Sequence, residues 1–570
     1  RARRGALARR RPYDASVPVS PALVGQPAPT DRWRAAGVAA VVGAVAAGMR
    51  FAGLGRPAEV VFDETYYAKD AWALLRTGAE RKWLDGANNQ ILDGDLSGLT
   101  DEPSFASHPP MGKWVIATGE WVAGLTPLGW RLGVAVLGTL AAVVMVYLAR
   151  RVTRSTALGG LAGLLVALDG LAIVTSRIAV LDGMLMFWVV LAAALLVRDR
   201  DSARARMATG LGRRTQTPQP ERVLAEEAEA AETIAVARGY DAGDATAAAA
   251  VPHSTQMGDA SIPLWRPWRL LMGVALGLAT ATKWSGLPVL AAFGVLTVVW
   301  QAGALAQAGG RHPVRRALLI DAPAASVTVV GAALAAYLAT WSGWLRGSDG
   351  YERQWAAANP ASGSLADLVP DALRSLWHYH ATQYDLLSQL DAEHNWQSSP
   401  GGWLILLRPG LFYRDKPGMG EDGCTATECV GDILAVGTPL TWWVGVAALL
   451  LVGWRAAARA DWRAWLIVAG VAATWLPWFA YADRPIFSSY AIVTLPFVVL
   501  AIVLALRVLP DGLNAAGPAV ARRWRRSMVA VGVVLLALTV AQAWFFWPVW
   551  TGEPIPLDEW RLRIWLPGWS

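Results

Sequence analysis

The sequence has little charge and almost no cysteine. Asp, Glu, Lys and Arg make up 17% of the 570 residues, and Cys occurs twice. Soluble domains usually carry about 25% charged residues, so this composition argues against an ordinary soluble chain. So few cysteines exclude a disulfide-rich secreted scaffold. The chain is instead 54% hydrophobic with a mean hydropathy of +0.34, which predicts that lipid is its solvent.

The net charge of +7 does not indicate nucleic-acid binding. The basic residues stand in short clusters between apolar runs, as they do in the cytoplasmic loops of membrane proteins. Many of the 31 Trp residues stand at the ends of apolar runs, where an indole ring favours the headgroup zone. The sequence therefore predicts an all-α polytopic membrane protein.

Eleven apolar runs are candidate spans, and the basic clusters fall on one side if this count holds. The positive-inside rule makes that side cytoplasmic, with the N-terminus inside and the C-terminus outside a bacterial plasma membrane. No cleavable signal peptide is evident, so the first run is expected to be a retained span. The apolar segment 112–125 is not counted, and we expect an interfacial helix on the outer leaflet.

This topology divides the chain into seven segments. They are a cytoplasmic arm (1–34), a core with a first outer loop (35–197, loop 52–129), a largely disordered cytoplasmic loop (198–267), a transmembrane core (268–341), a second outer loop (342–437), C-terminal transmembrane helices (438–548) and an extracytoplasmic tail (549–570). Both cysteines, Cys424 and Cys429, fall in the second outer loop. On that oxidising side a disulfide between them is predicted, with two free thiols as the alternative.

Adjacent carboxylates, Asp63 and Glu64, follow the first span. They could simply begin a helix, since acidic residues favour helix N-termini. The alternative is catalytic: one carboxylate acts as the general base on an acceptor hydroxyl. No His, Cys, Asp and Glu cluster has a recognised metal-ligand spacing, so no metal site is predicted.

Further polar residues lie at the predicted outer ends of spans, as in an enzyme that works at one membrane face. Asp169 is expected inside the third span, and Asp182 inside the fourth. Intramembrane carboxylates are costly and therefore candidates for function. A structural ion pair between Arg177 and Asp182 is the alternative. The other candidates are His108, Lys113, Arg131, Lys283 and Trp284.

A series of motifs resembles the protein O-mannosyltransferases. The motifs are F-D-E-x-Y-Y-A at 62–68, H-P-P-M-G-K at 108–113, S-R-x-x-x-L-D at 176–182, T-K-W-S-G at 282–286, H-N-W-Q-S-S-P at 394–400, G-T-P-L-T-W-W at 437–443 and L-P-W-F at 476–479, followed by Arg484, Phe487 and Tyr490. They occur in family order over most of the chain. Thr438 stands where the family has Asn, and Trp396 where it has another aromatic.

The resemblance implies a GT-C fold of about eleven transmembrane helices with two large extracytoplasmic loops. The second loop is too short for a MIR domain, so the actinobacterial type of the family is expected. The donor would be polyprenyl-phosphate-mannose, and the acceptor a Ser or Thr of an unfolded secreted protein. No cofactor would be required, although an ion bridging carboxylate and phosphate stays open. A partnership with the secretion translocon follows only from the nature of the acceptor.

The resemblance also implies roles for residues. Asp63 would be the base of an inverting displacement and Glu64 its positioning group. Arg131, Lys283 and Arg484 would bind the donor phosphate. The remaining candidates would shape the site or bind the sugar: His108, Lys113, Arg177, Asp182, Trp284, His394, Trp396 and Tyr490.

Two other functions stay open from the sequence. A GT-C enzyme acting on a lipid or cell-wall glycan would share the donor site. A transporter of lipid-linked sugar would place polar residues at mid-bilayer and show internal repeats. No convincing repeat is seen in this sequence.

Overall fold

A computed structural model describes residues 29–216, 261–361, 363, 366–389, 394–510 and 517–570. The expected disorder of 198–267 lies mostly outside these residues. Its first part, up to Gln216, differs from the expectation because it continues a long helix.

Helices dominate the fold. They are α1 (Arg32–Phe51), α2 (Glu64–Thr77), α3 (Ala87–Leu92), α4 (Met111–Ala123), α5 (Pro127–Thr153), α6 (Thr156–Ala167), α7 (Gly170–Arg177), α8 (Leu181–Gln216), α9 (Pro267–Thr282), α10 (Leu287–Gln307), α11 (Pro313–Thr340, with π-helical turns), α12 (Ser342–Arg346), α13 (Trp355–Ala358), α14 (Asp371–Ser388), α15 (Pro439–Arg459), α16 (Trp462–Trp475), α17 (Leu495–Val508), α18 (Pro518–Thr551) and α19 (Leu557–Arg561). The 3₁₀ turns are Trp284–Gly286, Ala366–Leu368, Pro400–Ile405, Leu476–Tyr481, Ser488–Thr494 and Pro567–Trp569.

Among the described residues, 9 helices are long and apolar enough to cross a membrane, or up to 10 if the bent pair α6 and α7 is one span. Helix α9 is apolar but has only 16 residues, which is shorter than the roughly 20 that a straight span needs. The polytopic prediction is therefore confirmed, whereas the number eleven stays a prediction.

The third predicted span is broken at Asp169, where α6 and α7 meet at 58°. The expectation that Asp169 lies inside a helix is wrong, because it caps the N-terminus of α7 by accepting the Ala172 N–H at 3.1 Å. Its other oxygen accepts the Thr438 N–H at 3.0 Å and the Trp442 indole N–H at 2.9 Å. The buried carboxylate is thus satisfied by three donors and fixes the break.

Two small antiparallel sheets lie in the connecting segments. Strand β1 (Arg81–Trp83) pairs with β2 (Leu99–Pro103), and a second sheet has the order β3 (Gly410–Asp415), β4 (Cys429–Ala435), β5 (Ile555–Pro556). Leu411 pairs with Leu434 and Tyr413 with Ile433, so Phe412 is an extra, bulged residue.

The segment that follows α18 completes the second sheet. Strand β5 pairs with β4, and the Trp560 indole donates to the buried Asp432, which also forms an ion pair with Arg414 at 2.8 Å. Trp569 is fully buried and donates to the Leu406 carbonyl. The structure also joins Cys424 and Cys429 by a disulfide, the pairing that their position predicted.

Helix α4, for which an interfacial position on the outer leaflet was predicted, is largely buried against other helices, and its position relative to the membrane stays a prediction. Ile116 and Ala117 pack in one apolar cluster with Tyr67 and Trp72 of α2 and Trp130 of α5. The exposed residues of α4 are Thr118, Trp121 and Val122. This core fixes α2, which carries the acidic pair at its start.

The chain divides into two compact units. In one, the described residues are 199–216, 261–266 and 298–324, with Met207 and Leu305 in a small core and a buried ion pair between Arg266 and Asp199. The other contains the remaining described residues and every candidate site residue.

Candidate active site

Asp63 and Glu64 are neighbours with different surroundings. Asp63 is the half-buried residue just before α2, and Tyr67, one helical turn later, donates a hydrogen bond to it. Burial raises the pKa of Asp63 to about 6, with nearby Lys283 and the Tyr67 hydrogen bond lowering it and Asp182 raising it further. A carboxylate with this pKa is largely ionised at neutral pH and is a competent proton acceptor.

Glu64 is fully buried, and donors occupy both of its oxygens. Arg131 forms a two-pronged ion pair with it, at 2.8 Å to each oxygen. The backbone N–H groups of Val61 and Ala179 donate to it at 3.0 and 2.9 Å. Glu64 therefore fixes the segment that follows α1 to the start of α8, and four donors already occupy its two oxygens.

Arg131 is fully buried and donates all of its N–H groups within the protein. Besides Glu64, it bonds the carbonyl oxygens of Leu54, Pro57 and Glu59 at 3.3, 2.9 and 3.0 Å. Guanidinium has five N–H donors, so none is left for a phosphate. The predicted phosphate contact of Arg131 stays a prediction, and this geometry favours a structural role.

Lys283 lies between α9 and α10 and forms a buried ion pair with Asp182 at 2.8 Å. Its ammonium group also lies 3.6 Å from the centre of the Tyr490 ring, in a cation–π contact. The predicted candidates Lys283, Asp182 and Tyr490 are thus brought together near Asp63. The ion pair orients Lys283 while leaving two of its three N–H donors for another anion.

Arg177 does not pair with Asp182. Its guanidinium donates to the carbonyl oxygens of Arg50, Ala52 and Gly53, at 3.1, 2.6 and 3.1 Å. These carbonyls lie at and just beyond the C-terminus of α1, where a helix leaves acceptors unpaired and favours a cation. The alternative of an Arg177–Asp182 pair is therefore wrong.

His108 and Lys113 border the site from the segment before α4. Lys113 is buried, forms an ion pair with Glu80 and donates to the His108 carbonyl at 3.0 Å. Burial, together with Lys283, Lys113 and Arg484, holds the pKa of His108 well below its usual value. His108 is therefore neutral at physiological pH, and the Lys113 ammonium group is already bound to Glu80 and the His108 carbonyl.

Arg484 keeps donors that the protein does not use. Its terminal nitrogen donates to the Leu387 carbonyl, while its buried Nε has no hydrogen-bond partner among the described residues. A buried donor without a partner is costly, so such a group points to a missing anion or water. This geometry supports the predicted role of Arg484 more than that of Arg131.

Aromatic side chains form one wall of the site. The Phe62 ring stacks on Phe412 with 4.3 Å between centroids, and meets the edge of Phe487 at 5.9 Å. Phe62 has a φ of 51°, a left-handed conformation that is rare for bulky residues and common at functional sites. His394 contacts Phe487 at 4.9 Å and is exposed at the rim, where its Nδ1 accepts the Trp396 backbone N–H.

An apolar groove opens beside Trp284. It has a volume of about 670 Å³ and is lined by residues of α9, α10, α11 and α14. The Trp284 indole donates to the Tyr337 hydroxyl at 3.2 Å, and that hydroxyl bonds the His380 Nε2. Tyr337 and His380 were not among the predicted site residues, and neither was Tyr67. The position of Tyr67, one turn after Asp63 on an amphipathic helix, was a usable signal.

No group of three or more His, Cys, Asp or Glu residues in the described part of the chain could hold a metal ion. The prediction that no cofactor is required stays a prediction.

Comparisons with known proteins agree with one another. Residues 40–210 match the family described as dolichyl-phosphate-mannose-protein mannosyltransferase, and residues 372–569 match the C-terminal four-transmembrane region of protein O-mannosyltransferase. A polyprenol-phosphate-mannose–protein mannosyltransferase of Mycolicibacterium smegmatis is 36% identical over 550 residues, covering 95% of this chain and 94% of the relative. The protein of that name from Mycobacterium tuberculosis is 35% identical, covering 99% and 98%.

The fold matches a solved structure as well. The S. cerevisiae protein O-mannosyltransferase Pmt1-Pmt2 complex bound to the sugar donor aligns with a TM-score of 0.65 at 14% identity, covering 96% of this chain and 94% of that chain. This match confirms the predicted GT-C architecture. With relatives above 30% identity over nearly their whole length, the chain belongs to the dolichyl-phosphate-mannose-protein mannosyltransferase family.

Proposed function

We propose that this protein transfers mannose from polyprenyl-phosphate-mannose to Ser and Thr hydroxyls of secreted proteins. The observation that carries the proposal is that the two acidic neighbours, Asp63 and Glu64, have different surroundings. Glu64 is neutralised by Arg131, whereas half-buried Asp63 has no ion pair within the described part of the chain and lies near Lys283. The names of the mycobacterial relatives support the donor and the protein acceptor.

Asp63 acts as the general base in a single displacement. The acceptor hydroxyl oxygen attacks the anomeric carbon, its proton passes to Asp63, and the bond from that carbon to the phosphate oxygen breaks with its electrons staying on the phosphate. Attack opposite the leaving group inverts the sugar configuration, through a transition state with oxocarbenium character. Phosphate leaves readily, so no strong general acid is needed.

Lys283 and Arg484 bind the donor phosphate and stabilise the charge that develops on it. Lys283 is oriented by Asp182 and Tyr490, and the buried Nε of Arg484 has no hydrogen-bond partner in the part of the chain that the structure describes. Charge-assisted hydrogen bonds to phosphate oxygens are stronger than neutral ones, most of all where water is excluded. Arg131 supports the reaction indirectly, by holding Glu64 and the loop that carries Asp63.

The apolar groove beside Trp284 accommodates the polyprenyl chain of the donor. Its lining includes Leu287, Leu290, Leu334 and Ala381, and it begins at the residue next to Lys283. A phosphate at Lys283 would therefore place the attached lipid at the mouth of a groove that is almost wholly apolar. Burial of apolar area drives such binding.

The location follows from the substrates. One end of α18 lies close to the site, because Trp547 contacts Arg177 there. The other end, at the start of the helix, carries a basic cluster of Arg522, Arg523, Arg525 and Arg526. We place the site on the extracytoplasmic face of the plasma membrane, with the N-terminus cytoplasmic. There an unfolded chain leaving the secretion translocon is accessible.

The test is transfer of radiolabelled mannose from polyprenyl-phosphate-mannose to a Thr-containing peptide by membranes carrying the native chain. Asp63→Asn is expected to lower transfer by at least about a hundredfold, the usual contribution of a general base. Asp101→Asn, which changes an exposed carboxylate in the same loop, is the matched control and should retain activity. Transfer of mannose to lipid but not to peptide would show that the acceptor is not a protein. Full activity of Asp63→Asn would refute the mechanism.

A further inference from the structure

Strand β3 has an unpaired edge. In the sheet order β3–β4–β5 it pairs only with β4, and no backbone hydrogen bond joins its other side to another part of the described chain. Alternate residues of an edge strand direct their N–H and C=O groups away from the partner strand. Arg414 is exposed, and Leu411, Tyr413 and Asp415 are half-buried, so part of the strand meets solvent.

The same strand is continuous with the active site. Its bulged residue, Phe412, stacks on Phe62, which directly precedes Asp63. Tyr413 donates to Glu59 at 3.1 Å, which fixes the strand to the segment leading to Phe62. A bulge redirects a side chain and increases the local twist of a strand, and here it aims an aromatic ring at the residue before the base.

We propose that the acceptor polypeptide binds as an extended strand added to the free edge of β3, which presents its Ser or Thr to Asp63. This inference rests on the proposed function and names how its protein substrate is held. Main-chain hydrogen bonds of an added strand give affinity, and alternating side chains point to opposite faces. One hydroxyl side chain can therefore face Asp63 while its two neighbours face away.

This occupant fits the edge because an unpaired edge offers main-chain donors and acceptors. An enzyme that modifies unfolded secreted chains must hold many sequences, and hydrogen bonds to the backbone do not depend on side-chain identity. An unfolded chain has free backbone groups to offer, whereas a folded acceptor has already paired its own. The alternative occupant is a second copy of this chain pairing through β3, which the experiment distinguishes.

The test is a backbone N-methylation scan of a nine-residue peptide with a single Thr, using the full-length protein in membranes. N-methylation removes one N–H at a time. Within the stretch of the peptide that lies along the six residues of β3, we expect KM to rise about fivefold, the effect of one lost hydrogen bond, at alternate positions and to change less than twofold at the positions between. The intervening positions are internal controls, because they carry the same methyl group.

Disulfide trapping provides a second readout without turnover. Asp415→Cys, at the end of β3, should link to cysteines placed at alternate positions of the peptide. The proposal would be overturned if KM did not alternate along the peptide in the N-methylation scan. It would also be overturned if disulfide trapping were equal at all peptide positions. An Asp415→Cys homodimer formed in place of the peptide adduct would likewise overturn it. Failure of the unmethylated peptide to accept mannose would instead overturn the proposed function itself.

Discussion

Two adjacent carboxylates can differ entirely in what they do, since the surroundings of each side chain determine its chemistry. After the backbone turn at Phe62, the Glu64 carboxylate is surrounded by hydrogen-bond donors, whereas the Asp63 side chain is only half-buried. Desolvation without a dedicated ion pair raises the pKa of Asp63 to about 6. A base of this strength is ionised at pH 7 and still basic enough to accept a proton in the transition state.

The first prediction concerns pH. Protonated Asp63 cannot act as a base, so kcat/KM should fall about tenfold per unit as pH decreases below about 6, and be level above it. Tyr67→Phe removes a hydrogen bond that lowers the pKa of Asp63, and the acidic limb should therefore move to higher pH. Peptide mannosylation rates from pH 4.5 to 8 measure the position of the acidic limb in the native chain and in Tyr67→Phe. An acidic limb at the same pH in Tyr67→Phe would contradict this account.

The second prediction separates the structural acid from the catalytic one. Glu64→Gln leaves Arg131 buried without a counter-charge, and breaking such a pair typically costs about 3–5 kcal/mol. Thermal unfolding of the detergent-solubilised protein should show a clear drop in Tm. Asp63→Asn should unfold near the native temperature while being inactive. Equal Tm values for Glu64→Gln and the native chain would show that the pair is not structural.

At the residue scale, the sequence predicted some residues that the structure brings together, but not the contacts that each of them makes. Asp63, Lys283 and Tyr490 were predicted, and the structure places them close together. The partner of Asp182 could not be deduced, because Arg177 is nearer in sequence while Lys283 is 101 residues away. Partners across spans depend on helix packing, which no local pattern encodes.

At the scale of elements, the proposal that the donor's lipid chain lies in the groove beside Trp284 can be tested, because four helices line this groove. Ala381→Trp would place a large ring into it from the exposed side of α14. We expect KM for a long polyprenyl donor to rise several-fold, and KM for a short-chain analogue to change little, because a short chain does not reach the ring. Ser388→Trp, on the same helix outside the groove, is the control. An equal effect on both donors would place the lipid elsewhere.

The elements themselves were largely predictable. Apolar runs of adequate length gave the spans, since the bilayer fixes their length. The break at Asp169 was missed because its partners, Thr438 and Trp442, belong to another helix and its N-terminus. The burial of helix α4 could not be deduced, because an apolar helix surface suits a membrane interface as well as a protein core.

At the scale of the whole molecule, the proposed orientation can be tested by labelling. Both native cysteines are joined in a disulfide, so an introduced cysteine is the reactive one. Asp101→Cys in the first outer loop should react with a membrane-impermeant maleimide in intact cells. Arg523→Cys, near the start of α18, should react only after permeabilisation. The reverse pattern would invert the topology and place the chemistry on the cytoplasmic face.

The order in which the chain is made has a consequence for when it becomes active. Strand β5 and Trp569 come after α18, yet they complete the sheet whose Phe412 supports Phe62. A nascent chain that has made α18 but not β5 still has an incomplete second sheet. We therefore expect such an immature copy to be inactive toward neighbouring nascent chains until the last strand of the sheet has been made.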